Sequence, residues 1–363
     1  MKTPFYKTTT LVFLLFCLLC QAHPGLGQGR YTKEKTLKRE FQVTADALLK
    51  INNDYGNLNI TTWDQNKVVM EITIKTNGDH EERVERKLEE IEVVFDASPS
   101  LVQARTTFGE RNSWGWNWGR NNDKVNMQVH YTIKMPVKNR VDLSNDYGTI
   151  FLDRLDGHAK ISCDYGRLEI GQLNGRNNEL YFDYTSKSMI EFMASGEIRA
   201  DYSDVTVERA GDLRLVTDYT NVTVGEMDDL EYSSDYGKIT VNEVKNVQGN
   251  GDYITVSLGL VQGSVDITAD YGSVRIGEMS EGAGDLILRT DYTGIRIGYH
   301  PNYHFTFDIN TQYAGVSGMD AFILAVQVEK NAAKRYEGHY GQPTANSHVR
   351  LSSEYGSIRF TQK

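Results

Sequence analysis

Carboxylates and phenols that recur together are the residues of this sequence best placed to do chemistry. Asp-Tyr-Gly occurs at Asp54-Tyr55-Gly56, Asp146-Tyr147-Gly148, Asp164-Tyr165-Gly166, Asp235-Tyr236-Gly237 and Asp270-Tyr271-Gly272. Asp-Tyr followed by Thr, Ser or Ile begins at Asp183, Asp201, Asp218, Asp252 and Asp291, and Gln312-Tyr313-Ala314 and Glu354-Tyr355-Gly356 keep the Tyr frame. Acids stacked at one interval could hold Ca²⁺, which takes six to eight oxygens. Tyrosines in register could form an outward strip for sugar rings. Against these stand two simpler roles. An Asp beside a turn commonly accepts a backbone N–H of that turn, and no copy carries the Gly-Gly-x-Gly-x-Asp pattern of calcium β-rolls. No cofactor is therefore assigned, with Ca²⁺ the one ion the pattern leaves open.

Other candidates are isolated. Trp114, Trp116 and Trp118 alternate with Gly and Asn in the stretch GERNSWGWNWGRNN. They could form an exposed aromatic platform for sugar, partner or membrane interface, or pack back on the scaffold. His300 and His304, with His339 or His348, make a weak match to a metal site because Pro301 interrupts them. Cys17 and Cys20 form a C-x-x-C inside an apolar leader, where a redox or zinc role has no meaning. Cys163 precedes an Asp-Tyr-Gly, in a slot that Asn53, Ala200, Ala269 and Ser353 fill elsewhere, so it reads as a small repeat residue. No G-x-S-x-G, H-E-x-x-H or phosphate-binding Gly loop occurs. Acids recur evenly through the repeats, and no isolated pair stands out as an acid–base couple.

The elements that carry these residues follow from the spacing. From Asp146 the motif steps are 18, 19, 18, 17, 17, 17, 18, 21 and 21 residues, and the last gap of 42 equals two such steps. A fixed period of this size marks a repeat architecture. With Asp as zero, apolar residues fall at −3 (Ile51, Leu143, Ile161, Leu180, Ile198, Leu215) and small ones at −1, with Tyr at +1. These share a parity and so one face of an extended strand, which argues for a buried tyrosine stack or a corner. After the motif the apolar positions are +4 and +6 (Leu58/Ile60, Ile150/Leu152, Val222/Val224, Ile358/Phe360), so the parity flips. Asp-Tyr-Gly then reads as a bend whose Gly supplies the unusual backbone angles. A parallel β-solenoid with one coil per repeat and an antiparallel meander both fit this parity; the constant step favours the solenoid.

Residues 1–27 read as a secretory signal peptide: Lys2 and Lys7, then the apolar run LVFLLFCLL, too short for a span that needs about 20 residues. A lipid anchor at Cys20 is the alternative. Residues 28–40 form a linker or first edge. Residues 41–135 form an N-terminal β region with a helix over 79–94, N-capped by Asp79, and a Trp-rich loop over 109–122 at the tip of a long hairpin. Residues 136–363 form the repeat array. Formal net charge is −10. Loss of the leader removes Lys2 and Lys7 and no acid, which takes −10 to −12. An acidic surface disfavours nucleic acid and anionic membranes.

With the segments LKINNDYGNLNITTWD and YTIKMPVKNRVDLSNDYGTIFL around a charged helix and a run of short Gly-containing repeats, the chain resembles the exported bacterial putative-adhesin family, related to the head domain of putative auto-transporter adhesins. The resemblance covers about Phe41 to the end, and the Trp-rich tip and strict Asp-Tyr pairing depart from it. It implies a parallel β-helix in the periplasm, at the outer membrane or on the cell surface. The expectation is a non-enzymatic, adhesin-like protein whose partner is a surface protein or glycan. The alternatives are a β-helical carbohydrate-active lyase or hydrolase and a periplasmic structural or stress-related factor.

Overall fold

The structure, a computed structural model, describes residues 29–109 and 125–363. Among these residues the fold is all-β apart from one helix, with 27 strands in one large, mostly parallel sheet that does not close into a barrel. Each repeat supplies two strands joined at the Asp-Tyr bend, for example Arg140–Asp146 and Thr149–Leu155. These pair in parallel with Ala159–Asp164 and Arg167–Leu173 of the next repeat. The register puts like on like: Asp146 on Asp164, Asp164 on Asp183, Asp201 on Asp218 and Asp218 on Asp235. Pairing along the array is parallel, so the antiparallel meander does not hold.

The core is the alternation made solid. Positions −3, +4 and +6 are buried in most repeats, as Leu143, Ile150 and Leu152 illustrate. After Asp183 the buried pair shifts by one residue to Ser188 and Ile190, with Met189 exposed, and Leu155, Leu173, Val244, Val261 and Met279 are buried further along their repeats. Each fully buried aliphatic contributes about 1.5–3 kcal/mol. Asn53 and Thr106, polar residues in this interior, are bonded: Asn53 Nδ2 donates to Asn145 Oδ1 at 2.8 Å, and Thr106 Oγ1 donates to Asn53 Oδ1 at 3.0 Å.

Both ends depart from the array. At the N-terminal end, Leu101–Thr107 and Asn126–Pro136 do not pair with each other among the described residues. They continue the two columns separately, parallel to Leu48–Asn53 and Leu58–Trp63. Residues 110–122 of the expected Trp-rich tip lie outside the described residues. Antiparallel strands cover this end: Lys67–Gly78 on Asn126–Pro136, then Tyr31–Gln42 as the outer edge, so residues 31–42 form a strand and not a linker. The helix is shorter than expected, Glu81–Glu90, with His80 at the N-cap position. Asp79 instead accepts the Arg30 N–H at 3.2 Å. Ile91, placed on the helical stripe by its spacing, is extended and buried, because strand pairing starts at Glu92. The helix seats Val84 in the interior and ties to the outer strand through Lys33–Glu81 at 2.7 Å.

At the C-terminal end, the 42-residue gap does not hold an unseen repeat. Its middle forms the antiparallel pair Ile323–Lys330 and Ala333–Tyr340, which packs beyond Phe305–Gln312. The last strands, Ser347–Glu354 and Ile358–Gln362, insert between the two preceding repeats, pairing in parallel with both. Chain order and spatial order differ here by one exchange.

Candidate binding surface

The bend places the motif residues in three adjacent columns. In eleven of the twelve motifs the tyrosine adopts a left-handed backbone, φ between 46° and 55°, from Tyr147 to Tyr355. The expectation that Gly supplies this conformation is corrected: Gly148, Gly166, Gly237 and Gly272 have ordinary φ, and only Gly56, in the first motif, is positive at 133°. At Gly166 the reason for Gly is close approach, since a Cβ there would strike the Gly148 carbonyl. Other repeats fill the same slot with Ser or Thr whose hydroxyl bonds the bend. Thr220 Oγ1 lies 2.9 Å from the carbonyls of both Ala200 and Asp218.

The left-handed residue also reverses the expected direction of the phenol. Alternation holds only while the chain is extended; a positive φ at +1 swings that side chain out of the face shared by −3 and −1. The tyrosines accordingly stand outward, 44–58% exposed from Tyr147 onward, and do not form a buried stack. They stack on one another as a single ladder, beginning with Tyr55, Tyr147 and Tyr165 and ending Tyr292, Tyr355, Tyr313. Centroids are 4.6–5.4 Å apart and ring planes within 10° of parallel. Phe108 closes the N-terminal end by meeting Tyr55 edge-on, 5.6 Å away at 77°.

Beside this ladder runs the column of Asp carboxylates. Asp164 Oδ1 accepts the Asp183 backbone N–H, Asp183 that of Asp201, and Asp201 that of Asp218, at 3.1–3.3 Å. From Tyr147 to Tyr271 each tyrosine N–H in turn donates to the Asp carbonyl of the following repeat, as Tyr147 does to Asp164 at 2.9 Å. The carboxyls of Asp146, Asp218 and Asp252 titrate above the ordinary carboxylate range, first from desolvation and then from the neighbouring carboxylates. The phenols of Tyr165, Tyr202, Tyr236 and Tyr292 are likewise raised, by desolvation and then by adjacent phenols. Among the described residues, no group of three or more His, Cys, Asp or Glu is placed to hold a metal ion, so neither Ca²⁺ nor the histidine site is carried further.

The remaining candidates separate from the ladder. Cys163 is buried with Sγ 3.6 Å from the Gly148 carbonyl, and burial pushes its thiol up to about 12, the reverse of an activated nucleophile. Trp114, Trp116 and Trp118 lie outside the described residues. A cleft of about 1400 Å³, not foreseen from the sequence, crosses the array near Glu179, Glu197, Arg214, Glu231 and Asp266. Its charges answer one another: Arg214 stands 3.5 Å from Glu197 and 3.6 Å from Glu231, and Glu179 accepts from the Tyr181 hydroxyl at 2.9 Å. The signal for it was the run of mostly acidic residues at −4, Glu179, Glu197, Glu231 and Asp266 around Arg214, visible once the register is known.

No family model and no curated protein matches the chain. Among solved structures it is similar to a putative cell adhesion protein from Clostridium sporogenes, at 13% identity over 92% of this chain and 100% of that one, TM-score 0.20. It is also similar to a putative adhesin from Parabacteroides distasonis, at 9% identity over 90% and 97%, TM-score 0.34. A third is a putative lipid binding protein from the same species, at 10% identity over 90% and 96%, TM-score 0.29.

Proposed function

We propose that this chain is an exported, non-enzymatic β-solenoid that presents a long binding surface at the bacterial cell envelope. The observation that carries this reading is the outward tyrosine ladder, continuous over twelve rings. A scaffold that repeats one exposed feature offers many equal contacts along its length, which suits binding to an extended partner. Enzymes of β-helical form instead concentrate a few activated groups. Here the raised carboxyls belong to the bend column, and Glu197 and Glu231 of the cleft are engaged with Arg214. Among the described residues no helix is long and apolar enough to cross a membrane.

A carbohydrate-active enzyme is the second reading, favoured by the cleft with Glu179, Glu197 and Asp266 on its walls. Release of reducing ends or unsaturated sugars from a panel of acidic and neutral glycans would establish it and displace the first. Protease treatment of intact cells separates surface display, in which the chain is cleaved, from a periplasmic structural or stress-related factor, in which it is spared. The Trp-rich segment is proposed as an accessory contact. Trp116→Ala is expected to weaken adhesion to glycan or cell surfaces while leaving the melting temperature unchanged. A large fall in melting temperature with full adhesion would assign that tryptophan to packing.

A further inference from the structure

The tyrosine ladder has a property that decides what it can bind. Its ring faces are spent on each other, parallel at 4.6–5.4 Å, so a sugar ring finds no free face along it. What points outward is a row of C–H edges and hydroxyls. The backbone does not ask for tyrosine at these sites: a left-handed residue is cheapest as Gly or Asn, and a side chain such as Tyr costs roughly 1–2 kcal/mol there. Strain repeated at eleven positions points to a role for the phenols beyond making the bend.

The edge of an aromatic ring is the positive end of its quadrupole and prefers the π-face of another ring. Phe108 and Tyr55 already make such a T-shaped contact at the ladder's end. A flat π-system laid lengthwise would meet several tyrosine edges in succession at the same spacing. Charge then selects among flat ligands. The Asp column runs one residue away along one flank, and a groove of about 580 Å³ on that side is lined by Asp164, Asp183, Asp201, Asp218 and Asp235. The same column excludes a second copy of this chain, which would set carboxylates against carboxylates, and an anionic lipid surface for the same reason.

We propose that the ladder is a binding track for elongated, planar aromatic cations, which lie along the stack with the π-face on the tyrosine edges and the positive charge toward the Asp column. This deepens the reading of the chain as a binding protein and rests on the ladder being its display surface.

The mature chain titrated with thioflavin T, a flat cation, is expected to give saturable fluorescence that weakens as salt is raised. The combined change Tyr219→Asn and Tyr236→Asn, suited to the left-handed backbone, is expected to weaken binding about tenfold or more with circular dichroism unchanged. Asp218→Asn with Asp235→Asn keeps hydrogen-bond acceptors and the ladder but removes two charges; it is expected to weaken the cation and to improve binding of the flat anion Congo red. If the tyrosine variant folds poorly, the aspartate variant and the two dyes decide. Absence of saturable thioflavin T binding, Congo red binding as tightly as thioflavin T to the parent, or folded tyrosine and aspartate variants that bind like the parent would each overturn the proposal. Adhesion measured on the same samples separates the two readings: loss of dye binding with adhesion kept defeats the track alone.

Discussion

Tyr232 shows how finely one residue can be fitted and still be left short. It takes the −3 slot that Leu215 fills in the preceding repeat, and its ring lies where a Cβ on Gly249 would be. Its hydroxyl is buried with no hydrogen-bond partner, and desolvation drives its titration far above the ordinary value. A buried donor left unmade costs about 1–3 kcal/mol. Tyr232→Phe is therefore expected to raise stability by about 1 kcal/mol in denaturant melts. Gly249→Ala, which overlaps the ring, should lower it by about 1–3 kcal/mol; an unchanged midpoint for both would refute the fit. The Asp column makes a second prediction at this scale. A carboxyl with a native value above its unfolded one costs the fold nothing below the ordinary carboxylate range, and it costs stability as pH rises through the native value. For Asp218 and Asp252, whose columns face Asp201, Asp235 and Asp270, acidification from neutral pH into that window therefore stabilises. Asp156 and Glu329, held low by hydrogen bonds from Asn174 and Tyr336, oppose it. Asp218→Asn with Asp252→Asn should flatten the acid-side gain in melting temperature; a profile that superimposes on the parent's would contradict this origin.

At the scale of elements, what a strand pattern says depends on the backbone staying extended. Positions −3, +4 and +6 were legible because each lies within a strand, where period 2 is enforced by the pleat. The tyrosine at +1 was not, because one left-handed residue breaks the alternation that the parity argument extends across it. Gly at +2 drew attention as the permissive residue, but at Gly166 it answers a close carbonyl and not a dihedral. The helix was legible as an amphipathic run, while its ends were set by neighbours: Asp79 bonds to Arg30, and Ile91 is drawn into the strand geometry that follows. The strands flanking the Trp-rich segment looked like two arms of a hairpin because they adjoin in sequence. They are held apart because each finds a longer-range partner with matching apolar alternation, Leu48–Asn53 and Leu58–Trp63.

The whole molecule is a stack in which each repeat is held by its neighbours, so the order of stacking matters as much as its composition. The final strands are inserted between two earlier repeats, with Tyr355 between Tyr292 and Tyr313. The C-terminal end therefore cannot complete until the last residues arrive. Truncation after Asn346 removes the central layer of that end, parting Leu286–Asp291 from Phe305–Gln312. It is expected to lose amide protection from about Gly294 onward in hydrogen exchange, while repeats near Asp164 keep theirs. Uniform protection through Gln312 in the truncated chain would show that the insertion is dispensable.

The sequence by itself determined the repeat, its apolar positions and the all-β character, because these depend on local alternation and on a period that any stacked arrangement must respect. The tertiary structure decided the parallel register, the exchange of the last two repeats, the separation of the strands around the Trp-rich segment, and the outward turn of the tyrosines. Each of these rests on a contact between residues distant in the chain, or on a single dihedral that side-chain alternation does not reveal.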